Sequence, residues 1–257
     1  MTLDDLINNY SLEKINTLTK YPSIPTYHKL GKKGQAIEST PEIYDNSLYV
    51  TEKIDGQNMR FIYFNDDYLI GERERLIYAK DDRVIVSQLT PMMKDIIKDF
   101  SFANNIFVVI FGELYGNKIQ NGSKIYSTTK RDFRLFDVWV ASYSTLPWDM
   151  NITQIAGWRE NNNQPWLSVD ELTMFAEQHH FSRVPYLDVE NNMPTNCNDT
   201  FNWLKKYDKS HATLDQHINN NLFGKAEGVV IRSSDRKYIY KIRKDEYEKG
   251  FKFNWTD

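Results

Sequence analysis

The eleven residues IFVVIFGELYG, 106–116, set the first constraint on how this chain folds. The run is far shorter than the roughly 20 residues a membrane helix needs, and it is rich in Phe, Val and Ile. It reads as a strand too apolar to be anything but buried, so a sheet has to form around it. FRLFDVWVASY reads as a second strand downstream. Upstream, LYVTEK, NMRFIYF and YLIGERERLIYA read as strands joined by IDGQ and NDD. Asp-Gly and Asn-Asp-Asp are hairpin signals, which predicts an antiparallel meander. Near the end, EGVVIR and KYIYKIRK flank Ser233-Ser234-Asp235-Arg236 and predict another hairpin.

Helix signals lie between these runs. Thr2 is placed to cap LDDLINNY, and Thr90-Pro91 to open MMKDIIKDF. Ser168-Val169-Asp170-Glu171 is a capping box before LTMFAEQHH. FNWLKKYDK comes after an Asn-rich loop and reads as a further helix. Strand runs mixed with separate helices, without strict alternation, predict an α+β fold with antiparallel sheets flanked by helices rather than a doubly wound fold. At 257 residues, without repeats or a low-complexity linker, the chain reads as a single domain over 1–257 with a helical elaboration around 145–222.

Composition excludes several classes. A hydrophobic share of 40% beside 26% charged residues is that of a soluble globular protein. The start, MTLDDLINNY, lacks a basic-then-apolar signal pattern and predicts cytoplasmic residence. Cys197 is the only cysteine, so no disulfide forms within one chain and no cysteine-based zinc site is expected. His28, His179, His180, His211 and His217 show no metal-ligand spacing, so any metal is expected to be a hard cation held by oxygen. A net charge of −3 argues against nucleic-acid binding by bulk charge and leaves a local basic groove open.

The residues able to carry chemistry lie in or beside the predicted strands. Lys53 precedes the Asp55-Gly56 turn in TEKIDGQN, a pattern that is common by itself. It gains weight from the residues downstream, in order: Arg73 in GERER, Glu113 in FGELYG, Phe136 in RLFDVWV, Glu227 in AEGVVIR, and Lys241 with Arg243 in YKIRK. A lysine attacks phosphorus only as the neutral amine, which is about 0.04% of an unperturbed lysine at pH 7. Burial or neighbouring cations have to favour that form, and full deprotonation at pH 7 corresponds to about 4.6 kcal/mol. Glu113 and Glu227 read either as solvated strand-end carboxylates or as site residues; beside a phosphate they would repel it unless a divalent cation intervened, so the second reading implies Mg²⁺ or Mn²⁺.

These motifs and their order resemble the covalent nucleotidyltransferases, and among them the ATP-dependent RNA ligases of the RNA ligase 2-like group. EKIDGQN matches the family's lysine motif, with Asn58 at the place of its asparagine. FGELYG, LFDVW, EGVVIR and YKIRK match the later motifs, from Glu52 to Lys244. The resemblance implies that Lys53 takes AMP from ATP and that the AMP passes to an RNA 5′-phosphate, which a 3′-hydroxyl then attacks to seal the strand. It further implies that Lys241 and Arg243 (or Lys244, since the family usually has a second lysine here) clamp the α-phosphate. Phe136 stacks on adenine, and Glu52, Asp55 and Gly56 orient the turn and the base. Arg73 meets the ribose or the acceptor phosphate, and Glu113 and Glu227 hold metal or ribose. Lys118, Lys124, Lys130 and Arg131 are candidates to line the acceptor's path. Only thirteen residues come after Lys244, so no C-terminal OB-fold is expected, and acceptor specificity falls to the elaboration, the N-terminal segment or an RNA-binding partner protein. A GTP-dependent capping-type guanylyltransferase and a non-catalytic RNA-binding module on the same fold are the alternatives.

Overall fold

A computed structural model describes residues 2–39, 43, 47–65, 67–77, 102–119, 125–214 and 224–256. They fall into two compact units: Met1–Ser23, Gln57–Leu114 and Asp132–Ser182 in one, and Ile24–Gly56, Tyr115–Arg131 and Arg183–Asp257 in the other.

The first unit is built on β2 (Gln57–Phe64), β3 (Asp67–Glu72), β4 (Leu76–Ile77), β5 (Ile106–Gly116) and β6 (Arg131–Ser142), in the sheet order β4-β3-β2-β5-β6. β5 is the apolar run, and along it only Ile106 and Glu113 escape full burial. Its alternate residues Phe107, Val109 and Phe111 pack with Ile62, Phe64 and Trp139 against helices α1 (Leu3–Tyr10), α2 (Leu12–Thr19) and α3 (Ile152–Glu160), which contribute Leu3, Leu6, Ile15, Leu18 and Ile155. Phe61 and Phe133 stand edge to face, and Phe133, Phe181 and Phe175 continue a chain of rings to α4 (Val169–Gln178). Burying strand side chains among helix side chains is what holds such layers together.

The second unit has a four-stranded antiparallel sheet in the order β7-β1-β8-β9: β7 (Tyr186–Glu190), β1 (Leu48–Lys53), β8 (Gly228–Arg232) and β9 (Ile239–Arg243). One face carries Val50, Val229, Ile231 and Ile242 into a core with Cys197, Trp203 and Leu204 of α5 (Cys197–Leu204) and Tyr247 of α6 (Lys244–Lys252).

The predicted meander is corrected here. β2 and β3 form the expected hairpin around Asn65, whose φ is +46°. β1, however, pairs with β7 and β8 and not with β2. IDGQ is therefore not a hairpin turn but the passage from one sheet to the other. Local turn chemistry favours a hairpin, but the alternate burial of Leu48, Val50 and Glu52 matches partners far away in sequence, and pairing with them wins. The predicted strand 68–79 also breaks, because residues 73–75 form the turn between β3 and β4.

Most helix starts obey their capping residues. Thr2 with Asp5 and Ser168 with Glu171 both form complete capping boxes. The helix expected at FNWLKKYDK begins four residues earlier, because Asn196 accepts the Asp199 N–H at 2.8 Å, and after Leu204 the chain tightens into a 3₁₀ turn. α2, α3, α6 and β7 were not anticipated. The helix expected after Thr90-Pro91, with Met92-Met93, together with Lys124 and His217, lies outside the described residues. No helix among the described residues is long and apolar enough to cross a membrane.

Candidate active site

In the four-stranded unit, strand register decides which groups share a face. Lys53 is opposite Gly228, and Gly228 is opposite Arg243; one step back, Thr51, Val230 and Lys241 form a parallel row. Alternation along each strand then places Lys53, Lys241 and Arg243 on one face, and Glu52, Val229 and Ile242 on the other. Gly228 leaves the space between Lys53 and Arg243 without a side chain. A Cβ there would come within 2.0 Å of the Ile242 carbonyl oxygen and 2.9 Å of Arg243 Cα.

Glu227, just before β8, ties this row together. Its Oε2 is 2.5 Å from Lys53 Nζ, and its Oε1 is 3.9 Å from Arg243 Nη1. The Lys53 and Glu227 side chains are 27% and 22% exposed, so the pair is partly shielded yet open to a solute. Arg243 also binds Glu246 through Nη2 at 2.6 Å and Nε at 2.8 Å. Burial raises the Glu246 carboxyl above its ordinary value, while Arg243 pulls the other way. The backbone of Lys241 is fixed from the chain's early segment: its N–H donates to the Pro25 carbonyl, and its carbonyl accepts the Tyr27 N–H.

Of the two candidates for the second basic position, Arg243 shares the face of Lys53 and Lys241. Lys244 leaves the strand at the first position of α6, bonds Asp208 at 2.9 Å and donates to the Tyr207 carbonyl. Glu52, assigned to the base by the resemblance, stands on the opposite face from Lys53 and is 2% exposed. It accepts the Ser210 hydroxyl and, at 2.7 Å, the His211 N–H, and burial raises its pKa. In this structure Glu52 fixes the segment around residue 210 to the back of β1. Asp55 and Gly56 come just after Lys53, and the Asp55 N–H donates to the Tyr126 hydroxyl at 2.8 Å. Tyr126 is fully buried, edge-on to Tyr115, and burial pushes its pKa far up. Sequence reasoning missed Tyr126, because nothing in the loop between FGELYG and RLFDVWV marks a buried aromatic.

In the five-stranded unit, Asn58 and Glu113 are direct cross-strand partners on β2 and β5. Asn58 Oδ1 is buried with no hydrogen-bond partner, an oxygen acceptor beside a half-buried carboxylate. An unmade bond of this kind is costly unless a ligand completes it, and two oxygen donors suit a hard cation or a sugar hydroxyl. Phe136 is half-buried, with Tyr21 edge-on at 5.0 Å, and Tyr21 donates to the buried Asp137 at 2.9 Å.

Arg73 lies in the β3–β4 turn, 71% exposed and 3.5 Å from Glu74. Arg75, in the same turn, pairs with Glu72 at 2.9 Å. That turn is held by Arg60, which sequence reasoning passed over as a strand residue. Arg60 is fully buried, donates to the carbonyls of Glu72 and Arg73 at 2.5 and 3.4 Å and to the Asn16 side chain, and burial lowers its pKa to about 9. Of the candidate acceptor-path cations, Lys118 and Lys130 are exposed, and Arg131 donates to the Asn117 carbonyl at 2.7 Å.

The two antiparallel sheets flanked by helices, with a lysine–carboxylate pair and a row of cations on one sheet face, define an α+β fold of the ligase type. More particularly, residues 46–249 match the RNA ligase family model, and the chain belongs to the RNA ligase family. Among solved structures it is similar to a Naegleria gruberi RNA ligase with PPi, at 18% identity and TM-score 0.57, covering 92% of this chain and 59% of that one. A glutamate-to-alanine variant of that ligase with ATP and Mn gives 17% identity and TM-score 0.52, covering 91% and 62%. A lysine-to-methionine variant with AMP and Mn gives 16% and 0.53, covering 90% and 64%. At these identities the likeness shows the fold. The chain spans 59–64% of the length of these ligases. No curated protein matches it significantly.

Proposed function

We propose that this member of the RNA ligase family uses ATP to join RNA 5′-phosphate and 3′-hydroxyl ends through an adenylylated Lys53. The row of Lys53, Gly228 and Arg243, with Lys241 on the same face and Glu227 bonded to the lysine, carries the reading. Three like charges on one sheet face repel one another. Glu227 and Glu246 offset part of that repulsion, and a bound phosphate would offset the rest through charge-assisted hydrogen bonds.

In the first step Lys53 Nζ attacks the α-phosphorus of ATP, the N–P bond forms and pyrophosphate leaves. Glu227 Oε2, the lysine's partner at 2.5 Å, takes the amine proton. In the second, an RNA 5′-phosphate oxygen attacks the same phosphorus, AMP moves to the RNA and Lys53 regains its proton. In the third, a 3′-hydroxyl attacks the RNA 5′-phosphorus, a phosphodiester forms and AMP leaves. Arg243 and Lys241 hold phosphate oxygens through all three steps.

Glu113 and Glu227 are by motif the carboxylates suited to Mg²⁺ or Mn²⁺, which when bound would neutralise phosphate charge. By motif, Phe136 takes the adenine face, Asp55 and Gly56 the base edge, and Arg73 the ribose or acceptor phosphate. The Naegleria ligase structures with ATP, AMP or PPi support this choice of donor, and Mn in two of them supports the cation. The reading includes cytoplasmic residence.

The test is incubation with ATP or GTP radiolabelled in the α-phosphate, plus Mg²⁺ or Mn²⁺, and then denaturation in acid. Label from ATP, lost in Lys53→Ala, is the expected result. Label from GTP alone would make the chain a guanylyltransferase, and no label from either would leave only an RNA-binding role. Strand joining is then read with RNA bearing 5′-phosphate and 3′-hydroxyl ends.

A further inference from the structure

We infer that His28, Glu38 and Cys197 form a binding site for a thiophilic divalent cation of the zinc class, separate from the lysine-centred row. An imidazole nitrogen, a carboxylate oxygen and the thiol sulfur all lie within 4.8 Å of one another. Zinc takes this N, O and S set at about 2.0–2.3 Å, which puts tetrahedral donors roughly 3.3–3.8 Å apart, so a contraction of about 1 Å closes the site. Sequence spacing hid it, because the ligands come from three places that only the tertiary fold brings together.

The polar contacts leave these groups ready to ligate. His28 Nε2 faces the Thr195 carbonyl at 3.2 Å, and a carbonyl only accepts, so Nε2 carries the proton and Nδ1 the lone pair. A ring N–H donated to a backbone carbonyl is the arrangement that orients metal-bound histidines. Nδ1 now meets the Tyr247 hydroxyl at 2.5 Å, and an entering cation takes that lone pair instead. Burial keeps the imidazole below its ordinary value. Glu38 accepts the Cys197 backbone N–H at 3.1 Å, which fixes the carboxylate at the opening of α5. His28 and Cys197 are buried while Glu38 is exposed, which gives the cation a way in.

A cation that displaces the thiol proton is left with thiolate and carboxylate against its two positive charges, so the occupied site is neutral. Cys197 and Tyr247 belong to the core on the sheet face opposite Lys53, so the cation staples the early segment to α5 and takes no part in the lysine chemistry.

Tag-free, metal-stripped full-length protein is titrated with Co²⁺ and monitored by the cobalt–thiolate charge-transfer absorption. The expected result is one ion per chain, displaced by Zn²⁺ but not by Mg²⁺, with the band lost in Cys197→Ser and affinity at least about tenfold weaker in Glu38→Gln. Circular dichroism checks that each variant is folded, and Glu38→Gln, at an exposed residue, covers failure of the serine variant to fold. Absence of the band in wild type, or affinity unchanged in Glu38→Gln, would overturn the site.

Discussion

Gly228→Ala tests whether the β8–β9 register builds the lysine-centred row. The new Cβ lies 2.0 Å from the Ile242 carbonyl oxygen, whereas ordinary contact begins at 3.4 Å, so β9 has to withdraw by about 1.4 Å. The obstacle is backbone, which cannot swing aside as a side-chain tip can. The Lys244 N–H to Glu227 carbonyl bond, 3.0 Å long, does not survive such a shift. Overpacking costs about 1–3 kcal/mol and the lost bond about 1 kcal/mol more, a total of roughly 2–4 kcal/mol. Withdrawal also carries Arg243 away from Glu227. The control is Gly157→Ala in α3, where a Cβ meets nothing within 4 Å. Alanine there is expected to stabilise by about 0.5–1 kcal/mol through helix propensity. Urea unfolding measures both variants, and the yield of nucleotide-labelled protein measures the site. A Gly228→Ala protein within about 0.5 kcal/mol of wild type, the ordinary range for surface substitutions, would refute the reasoning.

Three further expectations rest on the same geometry. Arg243→Ala lowers adenylylation on the order of a hundredfold, as loss of a phosphate donor does, whereas Lys244→Ala costs about 1 kcal/mol of stability and leaves labelling within a few-fold; the reverse ranking would move the clamp to Lys244. Tyr126→Phe removes only the oxygen that the Asp55 N–H uses, costs about 1 kcal/mol and slows labelling at unchanged KM for ATP; an unaltered labelling rate would free the loop from that bond. Glu52 and Glu246 have pKa values raised by burial above 4.5, so at these two sites the folded chain holds more protons than the unfolded one just above that pH. Their contribution to stability therefore falls as pH rises from 4.5 toward their folded values. Asp5, Glu74, Glu171 and Asp235, with lowered pKa values, and His28 and His179, lowered by burial, act in the opposite sense. Urea midpoints of Glu52→Gln should therefore rise relative to wild type across this window; a constant difference between the two contradicts the assignment.

Much of this protein was legible in its sequence because the signals are local. The burial of IFVVIFGELYG, the Thr2 and Ser168 capping boxes and the hairpins at Asn65 and Ser233–Arg236 each depend on residues a few positions apart. The ordered motifs that singled out Lys53, Glu113, Glu227, Lys241 and Arg243, in or beside strands, needed only linear order. Tertiary structure decided what depends on distant partners. It moved β1 out of the predicted meander, because pairing with β7 and β8 buries Leu48 and Val50 in a core that no neighbouring residue supplies. It separated Glu52 from Lys53, since adjacent strand residues point to opposite faces. It engaged Lys244 with Asp208, gave Tyr126 the Asp55 N–H and buried Arg60 behind the Arg73 turn. It also brought His28, Glu38 and Cys197 together from segments far apart in the chain. Sequence fixes which chemical groups are available and what each stretch prefers locally, whereas side-chain proximity depends on which faces of distant strands and helices are buried together.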